Sequence, residues 1–159
     1  MLKLRKLMGL SPSERHLLFR AGLLLLAVRL GLWLLPFKRL VGFFPDPKRH
    51  AGGWPQTDPS RANQIVWAVE AASRYVPRAT CLVRALAAQV LLSGAGVPAI
   101  LRLGVAKDSK GRFQAHAWVE NGGEIMIGGC DLENYTPFRH LSGFDLRAEG
   151  PLPSTDCAR

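Results

Sequence analysis

Thr80-Cys81-Leu82-Val83-Arg84-Ala85-Leu86-Ala87-Ala88-Gln89-Val90-Leu91-Leu92-Ser93-Gly94 is the stretch on which the fold turns. Leu82, Leu86 and Val90 recur at helical spacing, with further apolar residues on nearly every other side. A helix that is apolar all round is buried on all sides, so this segment is expected at the centre of the domain. It is expected to end at Ser93-Gly94, where glycine accepts a left-handed cap. After Gly96-Val97-Pro98 the period changes to two: Leu101, Leu103 and Val105 alternate with Arg102 and Gly104. That pattern marks a strand, and Lys107-Asp108-Ser109-Lys110-Gly111 supplies the turn after it. Phe113 to Glu120 reads as a second strand, Asn121-Gly122-Gly123 as the next turn, and Glu124 to Ile127 as a third strand before Gly128-Gly129.

On the N-terminal side of the central helix, Asp58-Pro59 opens another helix, with Ile65, Val66, Val69, Ala72 and Val76 on its apolar face and Pro77 closing it. Further back, Ser11-Pro12-Ser13-Glu14 combines a capping serine, a proline suited to the first turn and an acid that completes a capping box. A helix should run from there to about Leu35. The segment from Pro36 through Phe43-Phe44-Pro45-Asp46-Pro47 to Gly52-Gly53-Trp54-Pro55 is dense in proline and glycine and reads as a long loop. Helices followed by a short antiparallel meander give an α+β order, with one sheet face free to pack on the central helix. With 159 residues, 48% of them hydrophobic, the chain fits one compact domain. Residues 1–55 are expected to form a helical segment and loop packing on it, 56–145 its core and 146–159 a flexible tail.

Twenty-one Lys and Arg against twelve Asp and Glu give a formal net charge of +9. Such a surface suits an acidic peptide, a nucleic acid or an anionic membrane. The basic residues are scattered, bunching only at Lys3, Arg5 and Lys6, at Lys38 and Arg39, and at Lys48 and Arg49. No aromatic-studded basic motif accompanies them, so nucleic acid is not the expected partner. Cys81, Cys130 and Cys157 are an odd count at irregular spacing, which matches neither a disulfide framework nor a metal motif. A reducing, cytoplasmic compartment is expected, with no metal and no cofactor. The apolar run Leu17 to Leu35 is interrupted by Arg20 and Arg29 and lacks a small-residue cleavage site, so it reads as a buried or interfacial helix. Its apolar face and the nearby basic residues leave peripheral membrane contact as an expectation.

Cys81 stands at or beside a helix N-terminus, where unpaired amides and the positive end of the helix dipole favour thiolate over thiol. Arg78 and Arg84 flank it. On the second strand Gln114, His116, Trp118 and Glu120 share one face, and Phe113, Ala115, Ala117 and Val119 the other. An imidazole at position 116 is placed to take the Cys81 proton, creating an activated nucleophile for acyl transfer. Gln114 is a weaker candidate for oxyanion donation and Trp118 for substrate contact.

Arg78-Ala79-Thr80-Cys81-Leu82-Val83-Arg84-Ala85-Leu86-Ala87, Val97-Pro98, Ala115-His116-Ala117-Trp118-Val119-Glu120, Ile127-Gly128-Gly129 and Tyr135-Thr136-Pro137-Phe138 together resemble the lasso-peptide B protein. This is the transglutaminase-like leader peptidase family of the microcin-processing proteins. The start at Leu10-Ser11-Pro12-Ser13-Glu14-Arg15 resembles that of its stand-alone members. The resemblance implies a papain/transglutaminase-like fold, with Cys81 attacking the amide that joins leader to core in a ribosomally made precursor. It also implies two partners: a separate winged-helix-type leader-recognition protein, and an ATP-dependent cyclase that makes the threaded macrolactam.

One departure stands out. Family members often carry an Asp about twelve residues after the histidine to hold the imidazole, and the residue here is Gly128. Asp131 is the first candidate for that role, since the glycine pair lets the chain bend back; Glu133 and Glu124 follow. A metal site from Cys130, His140 and His116 lacks any local ligand pair. The glycine also motivates an alternative function, a non-catalytic transglutaminase-like scaffold that binds peptide or cyclase.

Overall fold

The computed structural model describes residues 11–34, 58–107, 111–129 and 132–137. The Pro/Gly-rich loop and the C-terminal tail expected from the sequence lie outside these residues.

Helix α1 spans Pro12–Leu34. Its start is the expected capping box: the Ser11 amide donates to Glu14 Oε2 at 2.7 Å, and the Glu14 amide donates to Ser11 Oγ at 3.3 Å. Ala21, Leu25 and Val28, at four- and three-residue spacing, form its buried face. Helix α2, Pro59–Ser73, begins on Asp58, whose carboxylate accepts from the Ser60 amide at 2.9 Å. Ala62, Ile65, Ala68, Val69 and Ala72 turn inward, while Val66 is only half-buried. The helix ends four residues before Pro77, because Tyr75 and Ala79 tighten into turns, donating to the Ala72 and Val76 carbonyls three residues back.

Helix α3, Cys81–Gly94, is the central one, burying Val83, Ala85, Leu86, Ala87, Ala88, Gln89, Leu91 and Leu92. The Gln89 amide reaches the Ala99 carbonyl at 3.4 Å, so even its buried polar group has a partner. The left-handed residue at its end is Gly96, at φ 79°, two positions beyond the expected Gly94, which stays helical.

The sheet has the order β3-β2-β1-β4, all neighbours antiparallel. Its strands are β1 Ile100–Lys107, β2 Phe113–Asn121, β3 Glu124–Ile127 and the two-residue β4 Thr136–Pro137. A turn of 3-10 helix, Leu132–Asn134, leads into β4. Pro137 is tolerated because β4 is an edge strand. Ala117, Val119 and Ile127 join the buried cluster formed with the three helices. On the other face Trp118 is fully buried. Its ring lies so close to β1 that a Cβ on Gly104 would stand 3.0 Å from it, so the strand needs glycine there. This is the α+β architecture expected from the order of elements, and its geometry sets the start of α3 beside β2.

Candidate active site

Thr80 caps α3: its Oγ1 accepts from the Val83 amide at 3.4 Å and its carbonyl from the Arg84 amide at 3.1 Å. The Cys81 and Leu82 amides are left, among the described residues, without a partner. Cys81 is therefore the first residue of a helix whose opening donors are free to meet a developing anion. The loop leading into it passes through Arg78 in the left-handed region at φ 55°, an uncommon conformation for a side-chain-bearing residue. Its carbonyl is held from across the molecule by Arg29 Nη1 of α1 at 2.8 Å.

A cleft of about 90 Å³ opens over this corner, lined by Cys81, Arg84, Ala85, His116, Ala117, Ile127 and Gly128. Thiol and imidazole, separated by 35 positions in the chain, thus face one space. Among the described residues no hydrogen bond joins them; catalytic contacts in substrate-free sites are often long and close on binding. Arg84 pairs with Glu70 at 3.8 Å, and its buried Nε has no partner among the described residues.

The imidazole is held by the main chain and by two aromatic rings. His116 Nε2 lies 2.8 Å from the Gly128 carbonyl oxygen. The Trp118 ring stacks near it, with centroids 6.3 Å apart and planes at 19°, and Tyr135 tilts against it at 5.2 Å. Trp118 is anchored in turn, its Nε1 donating to Glu120 Oε1 at 2.7 Å while Arg102 Nε pairs with Glu120 Oε2 at 3.0 Å. A row of side chains on alternate positions of β2 thereby runs from a part-buried ion pair to the imidazole.

Among the residues singled out from the sequence, Cys81 and His116 come together. Trp118 does not reach substrate: it is fully buried and its indole N–H is taken by Glu120, so it is a support behind the imidazole. Gln114 is exposed, accepts from the Tyr135 hydroxyl at 3.4 Å and does not line the cleft. Glu124 sits exposed at the hairpin end of β3, paired with Asn121, whereas the cleft borders the opposite end at Ile127. Asp131, Cys130, His140 and the Glu133 side chain lie outside the described residues, which contain no cluster of three metal-ligating side chains. Sequence reasoning missed the backbone carbonyl at Gly128 and the Arg102–Glu120 anchor. For the anchor the signal was present, as Arg102 and Trp118 face each other in the β1–β2 register with Glu120 two residues on.

A cysteine at a helix start, a histidine on the second strand of an antiparallel sheet and a cleft lined by both are the arrangement on which cysteine acyl-transfer chemistry is built. Residues 22–140 match the transglutaminase-like superfamily, and the chain belongs to it. That superfamily includes cysteine peptidases and acyltransferases. The matched region begins within α1, so the second half of that helix is part of the family domain. No curated protein and no solved structure matches the chain.

Proposed function

We propose that this protein is a cytoplasmic cysteine peptidase that removes the leader from a ribosomally made lasso-peptide precursor. The observation that carries the chemistry is the shared cleft: Cys81 at the amide-rich start of α3 and His116 across from it on β2. The resemblance of the Cys81 and His116 segments to the leader peptidase family supports the substrate. With His116 Nε2–H given to the Gly128 carbonyl, Nδ1 carries the lone pair that accepts the thiol proton. The thiolate attacks the scissile carbonyl, and the oxyanion meets the amides of Cys81 and Leu82. The imidazolium then returns its proton to the departing amine, releasing one peptide and leaving a thioester on Cys81. Water, deprotonated by the same imidazole, hydrolyses the thioester and regenerates the thiol. A separate winged-helix-type protein presents the leader, and an ATP-dependent cyclase takes the released core.

The purified protein, mixed with precursor and leader-binding partner, should release the leader by mass spectrometry. Cys81→Ala should abolish release. Cleavage that persists in that variant removes Cys81 as nucleophile. A second reading, a scaffold that binds peptide or cyclase without cutting, is favoured by the absence of a hydrogen bond between Cys81 and His116 among the described residues. A scaffold predicts that iodoacetamide labels Cys81 no faster than Cys157; a peptidase predicts selective labelling of Cys81.

The outer face of α1 is apolar, with Phe19, Leu23, Leu26, Leu30 and Trp33 exposed. By length and composition α1 is the one helix among the described residues able to cross a membrane. Contact of this face with an anionic membrane surface is part of the proposal, and liposome sedimentation dependent on anionic lipid is its test.

A further inference from the structure

The geometry points to the backbone carbonyl of Gly128 as the positioning group for His116, doing through the main chain what an acidic side chain does in a Cys-His-Asp site. The inference deepens the peptidase reading and rests on it. A carbonyl oxygen only accepts, so the 2.8 Å contact requires the proton on His116 Nε2 and leaves Nδ1 bare in the neutral ring. That is the role the third member of a triad plays: it selects the tautomer and holds the ring plane.

Two features of Gly128 make the carbonyl available. Its φ of 83° lies in the left-handed region, which turns the chain after β3 so that the carbonyl faces β2. A Cβ at this position would stand 2.8 Å from the Ala117 carbonyl oxygen, 3.1 Å from Trp118 Cβ and 3.2 Å from Trp118 Cα. The missing side chain is therefore the condition for main chain 128 to approach the imidazole. An aspartate could not adopt this backbone without moving it, so glycine here is a different solution for orienting the ring. Trp118 and Tyr135 complete the seat by packing their rings near the imidazole, at centroid distances of 6.3 and 5.2 Å.

Nitrogen-15 spectra of the full chain, with the His116 resonances assigned by comparison with His116→Gln, should show a protonated Nε2 whose hydrogen exchanges slowly and an unprotonated Nδ1. Gly128→Ala and Gly128→Asp should both displace the carbonyl. Iodoacetamide labelling of Cys81 and kcat for leader cleavage should fall by at least about tenfold, with KM retained, and the tautomer preference should be lost. A His116 proton on Nδ1 overturns the inference. So does a slowly exchanging Nε2 proton that survives Gly128→Ala but vanishes in Asp131→Asn, or a higher kcat in Gly128→Asp. If Gly128→Ala fails to fold, the wild-type spectrum and Asp131→Asn decide. The spectra need no substrate: a protein with the expected tautomer that never cuts precursor sinks the peptidase reading alone.

Discussion

Glu120 is the residue whose loss should be felt most widely. One oxygen accepts from the fully buried indole of Trp118 and the other pairs with the part-buried Arg102, so its two lone-pair sets link the core to the sheet surface. Glu120→Ala strips acceptors from both donors, and of the two the indole N–H is the one water does not reach. It should cost roughly 2–3 kcal/mol, chiefly because it leaves the buried indole N–H without its acceptor. Glu120→Gln keeps an oxygen for Trp118 and should cost less, about 1–2 kcal/mol. Urea unfolding of both variants checks the order. The effect should also appear at the cleft, since Trp118 flanks His116, and the labelling rate of Cys81 should fall in Glu120→Ala before the protein unfolds.

At the scale of the elements, the caps decide where helices start, and one of them sets Cys81 at the first position of α3. Thr80→Ala removes the acceptor for the Val83 amide and should destabilise the protein by about 1 kcal/mol, with Thr80→Ser restoring most of it in thermal unfolding. The cap of α2 gives a pH dependence. The Ser60 hydroxyl and amide bond to Asp58 and hold its carboxyl below the usual aspartate range. A carboxyl lowered in the folded state adds stability above its ordinary titration range and loses it as pH falls through the lowered value. Asp58→Asn, which keeps an acceptor but does not titrate there, should flatten that part of the acid limb in thermal melts taken across it. These elements were legible in the sequence because each carried its own signal: caps at Ser11 and Asp58, an all-round apolar α3, a period of two in β1 and β2. Strand β4 carried none, since two residues pair with β1 only once the sheet exists. The site divides in the same way. Cys81 and His116 could be found as residue types in a pattern, whereas the acceptor at Gly128 belongs to the main chain, which every residue shares.

Over the whole molecule, the N-terminal helix is tied to the domain by a buried face and by the Arg29 bond to the Arg78 carbonyl. Two leucines two positions apart give the test. Leu25 is fully buried, and Leu25→Ala should lower unfolding free energy by about 2–4 kcal/mol; Leu23, 52% exposed, should change it by less than about 0.5 kcal/mol on the same substitution. Equal, small effects in denaturant titrations would mean that α1 does not pack on the domain in solution. The stacking of Trp118 on His116 has an optical consequence. A buried indole emits at shorter wavelength than Trp33, 82% exposed, or Trp67, 42% exposed, and a neighbouring imidazolium quenches indole emission where a neutral ring does so far less. A variant with Trp33, Trp54 and Trp67 changed to Phe would leave Trp118 as its single emitter, an optical probe set beside His116 without any added label.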